Sequence, residues 1–307
     1  MSNKAAPIPQ QQAFEKRGAP KARLVQRPGF WNWLGVVPFL AFGALFIFLP
    51  SLSLFIGSFQ DAQGNFTLAN VQGLLTPSIL SAYWITIRIS AVSALAGGLF
   101  GFFLAYAVIL GGLPTWVRSA LTTFSGVASN FAGVPLAFAF IATLGRLGVV
   151  TLLLKDVFHI DIIGAGFSIY SFVGLTLTYL YFQFPLMVLI ISPALEGLKK
   201  DWREAAENLG ATPAQYWIHV ALPILLPSLL GTMLLLFGNA FGAYATALSL
   251  TGGFINLITI LIGSQIKGDV LHNANLGYAL ALGMVIIMTV VMSTYYILRR
   301  RSERWLR

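Results

Sequence analysis

A chain of 307 residues that is 57% hydrophobic and 9% charged, with mean hydropathy +0.79, lacks the polar surface needed to coat a water-soluble globule of its size. Its net charge of +9 does not point to nucleic acid, because the basic residues sit at the ends of apolar runs and not on one face. The absence of cysteine excludes disulfides, thiolate metal sites and cysteine nucleophiles.

In chain order, residues 1–30 form a basic tail in which Lys4, Lys16, Arg17, Lys21, Arg23 and Arg27 face a single acid, Glu15. With no apolar period to bury, it reads as a solvated tail, not a structured segment. Residues 31–298 then hold six apolar runs, each near the roughly 20 residues that a bilayer crossing needs. They extend from Leu34 to Ile56, Ala82 to Leu110, Ala120 to Leu144, Ser171 to Leu195, Leu222 to Leu250 and Leu276 to Leu298. The fold class is therefore an all-α polytopic membrane protein with six transmembrane helices. Residues 299–307 close the chain as a second basic tail.

Charge sets the sides. The two tails, Arg118 and the Lys199, Lys200, Arg203 group carry nearly all the basic residues, whereas the opposite connections hold only Arg146, Lys155 and Lys267. The positive-inside rule places both termini and the central polar stretch in the cytoplasm. Arg88 reads as snorkelling to the outer interface beside Trp84, one helical turn away. The connection from Gly145 to Tyr170 contains a short apolar run expected to lie along the outer surface or to re-enter part way, with His159 as a solvated loop residue.

Within the spans, Gly97 with Gly101 and Gly238 with Gly242 have the four-residue spacing that lets membrane helices approach closely. Pro135, Pro185 and Pro227 are expected to bend or loosen their helices. Mid-span carboxylates, lysines and histidines, which ion-driven carriers use for coupling, are missing. The polar residues at depth are neutral: Ser129 and Asn130, Tyr179, Tyr181 and Gln183, and Asn239 and Tyr244. As a set on three consecutive spans they are candidate lining for a translocation path, with helix-to-helix hydrogen bonding as the alternative role for each.

The central stretch, 196–223, reads EGLKKDWREAAENLGATPAQYWIHVALP. Asp201 and Glu204 suggest a capping box that starts a short helix, and Gly210 suits the left-handed residue that ends one. Thr212, Pro213 and Gln215 supply a second start signal. The pattern predicts helix, turn, helix. Ala205 and Ala206 leave one side bare for close approach by another protein, while Glu204 and Glu207 offer charge to basic partners. A DNA-reading helix-turn-helix is disfavoured, since carboxylates would face phosphates. A solvated loop with two amphipathic helices is the plain alternative.

Glu204, Ala205, Ala206, Gly210, Val220, Leu222 and Pro223 resemble the cytoplasmic signature of the membrane subunits of ATP-binding-cassette importers, with Val220 in a position usually occupied by isoleucine. That resemblance implies a type I importer-like permease fold in a bacterial inner membrane. It also implies two copies of a separate ATPase subunit that carries ATP and Mg, a second homologous permease, and an external substrate-binding protein. By position, Glu204 would contact the ATPase, Gly210 would be the turn, and Leu222 and Pro223 would lock the loop to the fifth span. The run GNAFGAYATALSLTGG and the long basic tail look most like the first permease of spermidine/putrescine-type systems, a subgroup with phosphonate, ferric iron, sulfate and molybdate relatives. Polyamine is thus the implied substrate, with an oxyanion or ferric iron as the alternative. No GxxxxGK[ST] phosphate loop is present, so the chain is expected to bind no nucleotide cofactor and to be no enzyme in its own right. A channel or structural membrane protein whose central loop binds another cytoplasmic partner is the reading from a different class.

Overall fold

The computed structural model describes residues 36–267 and 273–303, and the expected tail at 1–30 lies outside them. The chain divides into two units, 1–52 and 53–307. Helix α1 is Val37–Ser58. Short α2, Ala69–Gly73, leads into the long α3, Pro77–Leu110. Helices α4, Thr115–Asn130, and α5, Val134–Leu144, follow in series, and α6, Val149–Asp156, lies beyond them. Next come α7, Phe172–Glu196, and α8, Lys200–Asn208. Helix α9 is Pro213–Phe241, α10 is Ala245–Thr251, α11 is Ile258–Lys267 and α12 is Ala274–Glu303. Among the described residues no strand forms, as expected where water cannot satisfy open sheet edges.

Two of the long helices contain one widened turn each, at Ala44–Phe48 in α1 and Trp217–Ala221 in α9. Each lies just before a proline, Pro50 or Pro223. In a regular turn the proline ring would meet the carbonyl four residues back, and the i→i+5 pattern relieves that clash without ending the helix.

Among the described residues six segments are long and apolar enough to cross a membrane. The core of the second unit is α7, which packs along α3, α4 and α9. Glycine makes the α3–α7 seam close: a Cβ at Gly97 would lie 2.7 Å from that of Gln183, and one at Gly101 would lie 2.6 Å from that of Met187. The expected small-residue contact is therefore made, with the fourth span as its partner.

The continuous helix expected over Ala120 to Leu144 does not form. The chain breaks at residues 131–133, where Gly133 takes φ +75° and Pro135 restarts the helix in its first turn, and the third candidate span is Val134–Asp156, α5 with α6. Arg118 at the start of α4 pairs with Glu196 at the end of α7, Phe131 and Phe140 both pack edge-on against Tyr181, and Leu144 joins the core around Leu175. The α4–α5 series thus runs antiparallel along α7. The fifth crossing differs as well: α9 begins inside the polar stretch, at Pro213, and ends at Phe241, before the expected Leu250. The connection after it holds α11, an apolar helix of ten residues packed on α3 and α12, too short to span.

Candidate functional site

The polar stretch folds as helix, turn, helix. Helix α8 ends in paired bonds from Gly210 N–H to Glu207 O at 2.9 Å and from Ala211 N–H to Ala206 O at 2.9 Å. Gly210 supplies the left-handed φ of +80° that this closure requires. Restart follows at once: the Thr212 hydroxyl accepts from Gln215 N–H at 3.3 Å, and Gln215 Oε1 accepts from Thr212 N–H at 2.8 Å. The box expected at Asp201 and Glu204 does not form. The helix starts two residues earlier, with Lys199 as N-cap and no side-chain cap bond, so Asp201 falls in the first turn. There it complements the helix dipole without capping.

Glu204, Ala205, Glu207 and Gly210 are exposed and Ala206 is half-buried. Beside them Leu209 is 88% exposed, an apolar side chain held at the tip of a polar turn. Glu207 accepts from Arg203 Nε at 2.8 Å, and that carboxylate raises the guanidinium pKa above its ordinary value. Leu222 and Pro223, also exposed, lie inside α9 and not at a joint with it. Trp217 stacks edge-on with Tyr106 of α3 at 5.2 Å, seating the element against the end of the second span.

The other polar residues gather where two helical runs break side by side. Helix α5 packs against α10, so the break at 131–133 meets the break at 242–244. Two of the freed backbone groups find partners on other helices. Gly133 N–H donates to Thr246 Oγ1 at 2.7 Å, a cap supplied by another helix, and Tyr179 OH donates to Ala243 O at 3.0 Å. Ser129 Oγ and Asn130 Nδ2 turn back to Gly126 O at 3.2 and 2.9 Å.

Five of the seven candidate path residues sit at this junction. Ser129 and Asn130 end α4, Tyr181 bridges α4 and α5, Tyr179 ties α7 to the second break, and Tyr244 packs on Gly263 of α11. Asn239 is exposed, one turn before the second break. Gln183 lies apart, 0% exposed in the α3–α7 seam, where Nε2 donates to Ser93 Oγ at 2.9 Å and Oε1 has no partner. Sequence reasoning missed Gly133 and Thr246. Glycine two residues before Pro135 is a restart signal that marks the first, whereas nothing local marks the second.

The family described as "Binding-protein-dependent transport system inner membrane component" matches residues 97–307, which take in the polar element and both breaks. The spermidine/putrescine transport system permease protein PotB of Haemophilus influenzae is 25% identical over 283 residues, covering 84% of this chain and 92% of the relative. The sulfate transport system permease protein CysT of Escherichia coli is 27% identical over 228 residues, covering 73% and 76%. Among solved structures, a bacterial ABC transporter involved in the import of the acidic polysaccharide alginate is similar with a TM-score of 0.70 at 16% identity, over 88% of this chain and 94% of that one. At that identity the likeness concerns the fold.

Proposed function

The chain belongs to the binding-protein-dependent transport system inner membrane component family, as a multi-pass permease subunit of an ABC importer, and from that premise we propose that the polar element is its ATPase-docking device and the paired breaks its substrate path. The observation that carries this reading is the continuity of α9. Its 29 residues run from the capped turn at Thr212 to the break after Phe241 without a joint. At 1.5 Å per residue that is a rod of roughly 40 Å, so force on the turn reaches the break directly.

In this reading the exposed face of Glu204, Ala205, Leu209 and Gly210 seats in a cleft of a separate ATPase subunit that holds ATP and Mg. Two such ATPase subunits serve this permease and a homologous second one, and an external binding protein delivers substrate. The element and both termini are then cytoplasmic, consistent with the basic residues beside them. Closure of the ATPases tilts α9 and shifts the α9–α10 break against the α4–α5 break, opening the junction alternately to each side.

Polyamine is the substrate we favour. Tyr181 and Tyr244 with Asn130 and Asn239 give the junction region π faces and amide acceptors, suited to ammonium groups. Similarity to a sulfate permease favours an oxyanion as the second reading. The test uses the assembled complex in nanodiscs with its binding protein. Spermidine is expected to stimulate ATP hydrolysis and sulfate not to; the reverse assigns the oxyanion. The variant E204K/G210R is expected to lose the ATPase subunit on copurification, and normal stimulated hydrolysis by that variant overturns the docking role.

A further inference from the structure

A cavity of about 370 Å³ lies in the corner between the end of α3, the α7–α8 link and the start of α9. Its lining is of two kinds, apolar and aromatic at Tyr106, Ile109 and Trp217, and basic at Lys199, Lys200 and Arg203. Glu207 is the acid in the lining, and Arg203 already pairs with it. Among the described residues neither lysine has a carboxylate partner, so the cavity keeps an excess of positive charge. The cavity adjoins the end of a spanning helix: α3 ends at Leu110, and Trp116, 73% exposed, follows on the next helix. Trp217 and Trp202 lie on the neighbouring elements, the latter beneath Lys199 Nζ at 5.7 Å. Tryptophans beside the end of a spanning helix mark the headgroup region.

We propose that this cavity binds a phosphate ester, as the headgroup of an anionic phospholipid whose glycerol and upper acyl chain lie along Tyr106 and Ile109. Lysine ammonium groups suit phosphate as mobile point charges, and a basic pocket between helices at the membrane surface is the setting in which headgroups are held. Glu204 and Leu209, exposed at the tip of the polar element, are not in the lining. A bound headgroup would bridge α8 to the end of α3 and set the resting position of the polar element. The anionic lipid content of the membrane would then tune how readily the element moves.

The inference stands on the cavity alone and needs neither the docking role nor the substrate reading. The probe is the full-length chain with its copurified partners in nanodiscs of equal parts phosphatidylglycerol and phosphatidylcholine, with retained lipid counted by native mass spectrometry. Wild type is expected to retain phosphatidylglycerol selectively, and K199Q/K200Q to retain about thirtyfold less, since each lysine near a membrane surface contributes about 1 kcal/mol toward anionic lipid. K199R/K200R keeps the charge and is expected to retain it as wild type does. Equal retention by wild type and K199Q/K200Q overturns the proposal, as does loss in K199R/K200R or no preference over phosphatidylcholine. A parallel arm adds soluble glycerol 3-phosphate: displacement of the lipid assigns the phosphate-ester site to a soluble ligand, and no displacement assigns it to the membrane.

Discussion

The chain interrupts its helices in two settings, and they are satisfied in opposite ways. At Gly210 the interruption faces water, and every bond that closes it comes from within six residues. At the paired breaks it lies among packed membrane helices. There the Gly133 N–H finds its acceptor 113 residues away, and Ala243 O finds its donor 64 residues away. Water allows a break to be repaired locally and cheaply. A bilayer offers no such partner, so the break persists only where another helix brings one.

Glycine with positive φ occurs in both settings, so the same substitution separates them most strongly. Gly133→Val must hold a β-branched residue at φ +75° and ψ −147°, a region that is nearly glycine-only and costs of order 1–3 kcal/mol, and it also disturbs the Gly133–Thr246 bond. Yield of folded protein and melting temperature in detergent are expected to fall clearly. Gly210→Val pays about 1–2 kcal/mol of left-handed strain in a turn free to relax into water. Its melting temperature is expected to stay near wild type while substrate-stimulated ATP hydrolysis drops several-fold. Equal loss of stability in both would break the contrast.

Next in size is the interhelical cap. Thr246→Val keeps the side chain's shape but leaves the Gly133 N–H without its acceptor, an expected cost of about 1–3 kcal/mol in denaturant unfolding of the detergent-solubilised chain. Tyr179→Phe, which frees only Ala243 O, is expected to cost about 1 kcal/mol. A carbonyl with two lone pairs is the easier group for stray water to satisfy. If Tyr179→Phe instead abolishes uptake at unchanged stability, its hydroxyl serves the path and not the break.

The two settings also explain what the sequence made legible. Gly210 and the Thr212, Pro213, Gln215 start are local chemistry, readable from adjacent letters. So were six crossings, because apolar length needs no tertiary context. Ala120 to Leu144 and Leu222 to Leu250 read as unbroken because Phe131, Ala132 and Gly242–Tyr244 continue the apolar pattern, and only partners elsewhere in the fold make a break tolerable there. Leu222 and Pro223 read as a joint between loop and span, whereas the widened turn at Trp217–Ala221 carries the helix past the proline. Capping at Asp201 failed for a milder reason: Lys199 already takes the extended conformation of an N-cap, and helix ends shift by one or two residues easily.

The smallest expected effect tests the local side of the contrast. Thr212→Ala removes the hydroxyl that accepts from Gln215 N–H and leaves Gln215 Oε1 able to receive only the residue-212 backbone N–H. Loss of such a cap costs about 1 kcal/mol, but here the freed donor meets water, and the first turn of α9 can fray without moving its apolar part. Hydrogen exchange is expected to quicken at residues 214–216 and to stay unchanged in α7. Because Tyr216 is buried and Trp217 leans on Tyr106, fraying should stop there. Exchange that spreads along α9 toward Phe241 would mean that the turn and the break are coupled even at rest, and the rod would then transmit disorder as well as force.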